Sequence, residues 1–368
     1  MKLRSVTVVG LFGKNSQQKY NFNEDLNLIT GRNGSGKTTL MKLVWFIISG
    51  NIIYALREVD FKSCTVVTSL YTCTVIRTGD VFCKIEMTIN GESFTLEDDP
   101  DFPEEGFFGE SAEEKAKSYL LANGGSIFFP TFRRIEGGFS LLQNSNTRVR
   151  TGARPVSEID EALDSLSRKF SNPSNLFVAA ISTKDINSLL LRRYAAFSEE
   201  INSFQQEVSR SVIDKIKRHQ KSQGEHGDAD SLLSETREEI EKIEEFRSQT
   251  MVPYEAVRAL VEKLFQHSGI SFGKRLNFGD AAEAVNSDVL SAGEKQLLSF
   301  ICYNAFHQDS VIFIDEPELS LHVDWQRQIF SILQNQNPSN QFIFATHSPF
   351  IYGKYPDKEV SMGVDKGE

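Results

Sequence analysis

Gly31-Arg32-Asn33-Gly34-Ser35-Gly36-Lys37-Thr38 fits the pattern GxxxxGK[ST] and stands between strand-like LNLIT and helix-like TTLMKLVWFIISG. That is the context in which a glycine-rich turn becomes a phosphate cradle. Glycines let backbone N–H groups turn inward around an anion, and the start of a helix adds a favourable dipole. Lys37 has the reach and charge for the β and γ oxygens of a nucleotide, and the Thr38 hydroxyl suits Mg2+. The expected nucleotide-binding set is Gly31, Asn33, Gly34, Ser35, Gly36, Lys37, Thr38 and Thr39. A glycine turn that merely began a helix would need neither Lys37 nor Thr38.

Far downstream, Val311-Ile312-Phe313-Ile314-Asp315-Glu316 is an apolar strand ending in two carboxylates, the form of a Walker B motif. Asp315 suits the Mg2+ shell, and Glu316 is placed to orient and deprotonate an attacking water. An acidic turn before Pro317 would explain this pair alone, but not its company with the phosphate loop. Leu290-Ser291-Ala292-Gly293-Glu294-Lys295-Gln296 precedes helical LLSFICYNAF, which puts Ser291 and Gly293 at a helix N-terminus. An N-cap or an anion contact both fit there. Phe342 to Ser348 reads as a strand ending in His347, and a lone histidine is more often a capped or core residue. His219, His226, His267 and His307 lack ligand-like spacing and are expected in solvent or packing.

The elements that must position these groups follow from hydrophobic pattern. Residues 3–10 and 26–30 read as strands, and the text from 52 to 100 favours an antiparallel meander, with a turn at TINGES. Ten acidic residues and no Lys or Arg fall between Glu92 and Glu114, read as a solvated loop leading to a short helix. A helix is expected from about Glu158 to Lys169. Asn187 to His219 and Asp230 to His267 are long, charged helical patterns, the second ended or kinked by Pro253. A turn over Gln220 to Asp230 would make them a hairpin, either projecting or packed as a lobe. The expected division is 1–150 and 271–368 as two halves of one α/β head, with 151–270 as a helical insertion.

Of 368 residues, 40% are hydrophobic and 24% charged, and the formal net charge is −10. This excludes a wholly disordered or fibrous chain and a uniformly basic nucleic-acid-binding surface. Cys64, Cys73, Cys83 and Cys302 form no CxxC pair, which fits a reducing cytoplasm. No apolar run is long enough to cross a membrane and no secretory leader is legible, so a cytoplasmic protein without membrane contact is expected.

Taken in order, these motifs resemble the ABC-class ATPases, in the branch that holds the SMC-type, RecF-type and OLD-type proteins. LSAGEKQ is similar to that class's signature, Glu318-Leu319-Ser320-Leu321-His322 resembles a D-loop, and His347 resembles the switch histidine. DEPELSLH and ATHSPF distinguish this branch from transporter ATPases. So does the long insertion, 252 residues from Thr38 to Ser291. The resemblance implies a P-loop NTPase head of the ABC kind, an α/β fold with a mixed sheet, flanking helices and an antiparallel β subdomain. A helical lobe or short coiled-coil hairpin is inserted in it. It implies ATP and Mg2+ as cofactors, Lys37, Glu316 and His347 as catalytic residues, and Thr38 and Asp315 as metal ligands. Ser291 and Gly293 would contact ATP held by a second copy, giving a homodimer or higher oligomer closed by nucleotide.

OLD-type nucleases carry a further domain beyond the switch histidine, and the 21 residues after His347 leave a built-in nuclease unexpected. Stand-alone ATPases of this appearance occur in bacterial anti-phage modules of Septu, PARIS and retron-linked types. There a separately encoded effector, a nuclease or toxin, does the damage. The alternative expectation is a DNA-repair or chromosome-maintenance ATPase that clamps DNA. It draws on the five arginines from Arg133 through Arg154, which could meet nucleic acid or nucleotide phosphate. A glutamine of the Q-loop kind is sought near the same segment, with Gln143 the weak choice. Phe12, Lys14 and Asn15 are the adenine-contact candidates.

Overall fold

Three apolar runs without alternation, Leu26–Thr30, Ser310–Asp315 and Gln341–Ala345, are buried at every residue, as parallel strands covered on both faces must be. The computed structural model describes residues 1–13, 16–98, 111–131, 134–135, 158–181, 183–221, 228–264 and 291–362. The strands are β1 (Leu3–Val9), β2 (Gln17–Asn21), β3 (Leu26–Thr30), β4 (Ser63–Thr68), β5 (Tyr71–Arg77), β6 (Cys83–Ile89) and β7 (Glu92–Glu97). They continue with β8 (Gly125–Phe129), β9 (Arg134–Ile135), β10 (Asn175–Phe177), β11 (Ala180–Ile181), β12 (Ser310–Asp315), β13 (Gln341–Ala345) and β14 (Glu359–Ser361). The helices are α1 (Lys37–Ile48), α2 (Ile52–Glu58), α3 (Ala112–Ala122), α4 (Glu158–Phe170), α5 (Thr183–Lys221), α6 (Asp228–Leu264), α7 (Ala292–Phe306), α8 (Val323–Gln336) and α9 (Pro349–Tyr352).

One sheet runs β10-β8-β12-β13-β3-β14, parallel throughout. The other runs β2-β1-β4-β5-β6-β7, antiparallel throughout. Its strands alternate, with Val6, Val8, Cys64, Val66, Cys73, Val75, Ile85 and Met87 turned to the core. Helix α1 buries Leu40, Met41 and Leu43 through Ile48, and a helix apolar on all sides belongs inside a protein. It packs on β4 of one sheet and on β8, β12 and β13 of the other. Trp45 anchors it, with Phe46, Phe128 and Phe177 at ring distances of 5.7, 5.6 and 5.4 Å. The helix that begins at the phosphate loop is therefore the core of the head.

The chain divides into two compact units, Met1–Ser182 with Ser291–Phe300 and His307–Glu368, and Thr183–Leu290 with Ile301–Phe306. In the second, α5 and α6 lie antiparallel, as a hairpin requires. Phe204 stacks on Phe246 at 4.2 Å, Tyr194 meets Tyr254 at 5.7 Å, and Lys215 pairs with Glu239 at 3.0 Å. Most other faces of both helices are exposed or half-buried, so their charged residues are there to be solvated.

The structure departs from the pattern reading at Ile52–Glu58 and adds a strand at Gln17–Asn21. Ile52–Glu58 is helical rather than part of the meander. Ile52, Ala55 and Leu56 share one buried face at helical spacing, and that packing outweighs the strand preference of adjacent isoleucines. A strand, β2, occupies Gln17–Asn21, where polar QQKYN carries no apolar signal; it is an edge strand with one buried residue, Tyr20. Of the two outcomes expected at Pro253, an end or a kink, the structure removes the first, since the helix runs through it to Leu264. The turn at TINGES is present, with Asn90 and Gly91 at φ 53° and 85° joining β6 to β7, as a tight hairpin turn demands. The turn expected over Gln220 to Asp230 is replaced at both ends by helix, and residues 222–227 lie outside the described residues.

Candidate functional site

Parallel strands present their carboxyl ends along one edge, the place where open α/β sheets bind ligands. Here four neighbouring strands deliver functional residues to that edge. β3 ends at Thr30 and enters the phosphate loop, β12 ends in Asp315, β13 leads to Thr346 and His347, and β8 leads to Thr131. Because β13 lies between β3 and β12, the loop and the carboxylates converge from two strands apart.

Gly31, Gly34 and Gly36 have φ of 152°, 81° and 94°, conformations that side chains resist. Ser35 N–H bonds to the Arg32 carbonyl at 3.1 Å. Gly36 then stands at the N-cap of α1 with no side-chain cap, so the first-turn N–H groups keep their capacity for an anion. Asn33 and Gly34 are exposed, Thr38 and Thr39 half-buried. Open space surrounds Gly34, and the buried Ser35 Oγ has no hydrogen-bond partner among the described residues. An orphan hydroxyl in an uncapped glycine cradle fits phosphate oxygens.

Lys37 is buried and folds back over the loop, donating to the carbonyls of Gly31 at 3.0 Å and Arg32 at 3.2 Å. Burial pulls its pKa below the usual lysine value, opposed by the negative charges of Glu316, Asp315 and Glu318. Thr38 Oγ1 donates to Asp315 Oδ2 at 2.7 Å, and Thr131 Oγ1 bonds to the same oxygen. Two hydroxyls and a buried carboxylate are hard oxygen donors of the kind Mg2+ takes. Those three residues would hold it.

Glu316 sits one residue on, in the left-handed region at φ 49°, a conformation uncommon outside glycine and favoured at functional turns. Its N–H is fixed to the Ala345 carbonyl at 2.8 Å. Burial raises its pKa above the ordinary glutamate value, Asp315 and Glu318 adding to the rise and His347 and Lys37 opposing it. A base with raised proton affinity is better matched to abstracting a proton from water. His347 is exposed at the end of β13, its backbone N–H bonded to Glu318 Oε1.

Ser291 is the N-cap of α7, in a capping box with Glu294: its Oγ accepts from the Glu294 N–H and donates to the Glu294 carboxylate. Gly293 lies so close to the D-loop-like turn that a Cβ there would come within 2.2 Å of the Ser320 carbonyl oxygen. Within one chain, then, these two residues shape the helix start against residues 318–321. Phe12, at φ 56°, lays its ring on Gly36, with ring atoms 2.4 Å from where a Cβ would be. Lys14, Asn15, Arg133 and Gln143 lie outside the described residues, as does most of the arginine run to Arg154. Thr131 and Glu318 are the site residues that motif reading did not single out for chemistry. Their signal is in place, at or beyond strand ends, and not in type.

The family described as "AAA domain, putative AbiEii toxin, Type IV TA system" matches residues 81–352. This chain belongs to that AAA-domain family. The matched span takes in β12, β13, the Asp315–Glu316 pair and His347, while the phosphate loop precedes it. Membership makes the AAA domain an ATPase at the level of the family, with the α/β P-loop head that the parallel sheet displays. The "Retron Vc95 probable ATPase" of Vibrio cholerae serotype O1 biovar El Tor is 22% identical over 395 residues, spanning 98% of this AAA-domain chain and 73% of that protein. Among solved structures, the Smc head domain with an extended coiled coil bound to the C-terminal domain of ScpA, from Pyrococcus furiosus, aligns with 14% identity. It covers 96% of this chain and 91% of its own, at a TM-score of 0.39. The SmcHead bound to the C-winged helix domain of ScpA gives 11% identity, 96% and 92% coverage, and a TM-score of 0.39. No helix among the described residues is long and apolar enough to cross a membrane.

Proposed function

We propose that this protein binds Mg·ATP at the phosphate loop, hydrolyses it with Glu316 as general base, and uses the ATP-bound state to close a dimer that controls a separate effector. The observation that carries the reading is the Thr38–Asp315 hydrogen bond, which joins the phosphate loop to the strand-end carboxylates across 277 residues of sequence. Lys37 leaves its two loop carbonyls for the phosphates, and the α1 N–H groups and Ser35 Oγ bind the remaining oxygens. Bound Mg2+ supplies charge neutralisation on the phosphoryl oxygens. Glu316, held at its strained φ by the Ala345 carbonyl, takes the proton of water, and His347 meets the terminal phosphate from the neighbouring strand.

Ser291 and Gly293 are assigned to nucleotide held by a second copy, at the exposed N-terminus of α7. The retron name of the 22%-identical relative and the toxin-system wording of the family description support an anti-phage setting with a nuclease or toxin as effector. Glu316→Gln should lower ATP turnover by about 10²–10⁴-fold, the usual worth of a general base, while keeping ATP bound and enriching the dimer in sedimentation with Mg·ATP. Lys37→Ala should lose binding outright. Undiminished hydrolysis by Glu316→Gln would sink the catalytic assignment. The same trapped variant, purified from its host with Mg·ATP and nuclease-treated, should retain a stoichiometric partner protein. Recovery of nucleic acid alone would transfer the reading to a DNA clamp.

A further inference from the structure

Glu318 lies three residues beyond Asp315 and belongs to none of the roles assigned above, yet its carboxylate is committed almost entirely to the end of β13. Oε1 accepts from the backbone N–H of His347 at 2.7 Å and of Ser348 at 3.0 Å, and Oε2 accepts from Thr346 Oγ1 at 2.9 Å. Thr346 Oγ1 in turn accepts from the Ser348 N–H at 3.0 Å. We propose that Glu318 is the positioning residue that holds the His347 backbone against the Asp315–Glu316 turn, so that the switch histidine and the general base move as one piece.

The chemistry supports a clamp of this kind. Hydrogen bonds to a carboxylate are about twice as strong as neutral ones, and three on consecutive residues, two from N–H groups and one from a hydroxyl, leave the turn little freedom. The turn is also gripped from behind. Ser348 Oγ donates to Gln326 Oε1 at 2.7 Å, while Gln326 Nε2 donates to the carbonyls of Leu321 at 2.9 Å and Glu318 at 3.4 Å. The ring of bonds therefore passes from Glu318 through residues 346–348 to Gln326 and back to the 318–321 turn. On its other side, the Glu316 N–H bonds to Ala345 and the Thr346 N–H to Ile29, the strand that feeds the phosphate loop. His347 itself stays exposed. Its imidazole is free to meet a ligand precisely aimed only if its backbone is fixed, and Glu318 supplies the fixing.

The inference rests on the hydrolysis reading above, and its test separates the two. Glu318→Ala should lower kcat by about 10²-fold, the loss expected when a reacting group is misplaced by about 1 Å. KM and ATP affinity should stay near wild type, since Glu318 makes no hydrogen bond to the phosphate loop among the described residues. Glu318→Gln should recover most of the rate. Its amide oxygen can accept both backbone N–H groups and its amide nitrogen can donate to Thr346 Oγ1. In protein carrying 13C-labelled histidine, ATP should move the His347 ring signal in wild type and in Glu318→Gln, and the response should vanish in Glu318→Ala. Thermal midpoints of the two variants distinguish a lost fold from a lost position, and Glu318→Gln keeps the question open to experiment if the alanine variant is unfolded. A wild-type kcat in Glu318→Ala, an intact His347 response in it, or equal defects in both variants would overturn the positioning role. ATP binding without turnover in wild type would instead defeat the hydrolysis reading, and the His347 signal would still decide the role of Glu318.

Discussion

Asp315 Oδ2 accepts from two hydroxyls, and only one of them is announced by a motif. Thr38 follows the phosphate-loop lysine, whereas Thr131 follows β8, the strand beside β12, and reaches the same oxygen from 184 residues away in sequence. A neutral hydroxyl next to a carboxylate adds a donor to a Mg2+ shell without adding charge. Thr131→Val, nearly the same volume, should therefore raise the Mg2+ concentration needed for half-maximal ATPase while leaving nucleotide affinity without Mg2+ unchanged. An unaltered Mg2+ titration would remove Thr131 from the metal set. Gly293 shows the opposite kind of legibility. Its place in a signature-like motif suggests contact with nucleotide, and the fold adds a second demand, since the Ser320 carbonyl leaves no space for a Cβ.

At the scale of elements, the two sheets are tied by a side chain that no pattern marks. Gln341 opens β13 fully buried; its Oε1 accepts from the Leu3 N–H at 2.6 Å, and its Nε2 donates to the carbonyls of Leu3 at 2.8 Å and Asn23 at 2.6 Å. The amide satisfies β1 where the antiparallel ladder slips in register between Leu3 and Ser5. Gln341→Met keeps the length but strands these groups, each at about 1–3 kcal/mol when buried without a partner. The denaturant midpoint should fall with the m-value unchanged, because the surface exposed on unfolding is the same. Loss of stability below about 0.5 kcal/mol, the range of an ordinary surface change, would show that water replaces the amide.

Over the whole molecule, the cysteines report on the two units separately. Cys64, Cys73 and Cys83 are free and buried in the antiparallel sheet of the first unit, and Cys302 is free and buried in the second. Burial pushes the thiols of Cys73 and Cys302 up to about 12 and those of Cys64 and Cys83 higher still. At neutral pH the native thiols are protonated and enclosed, so alkylation requires opening. Brief alkylation along a denaturant gradient, read by peptide mass, should label Cys302 at lower denaturant than the three sheet cysteines. The helical unit has long exposed faces, whereas the sheet unit encloses the large core around Trp45. Coincident labelling would mean that the chain unfolds as one cooperative body.

The phosphate loop, the Asp315–Glu316 strand end, His347 and the long helical pair were legible from residues alone because each is written in consecutive positions. Glycine supplies φ, a buried parallel strand reads as an unbroken apolar run, and helices of this length repeat their pattern many times. The contacts that finish the site were not legible. Thr131 on Asp315, Glu318 on His347 and Gln341 on Leu3 join residues 29 to 338 positions apart, and a polar side chain carries no trace in sequence of which distant partner it will meet. The helix at Ile52 and the edge strand at Gln17 belong with them, since burial of one face and pairing with β1 override what their residue types prefer. Local chemistry is set by neighbours in the chain, while the partners of a buried polar group are set by which strands and sheets come together in space.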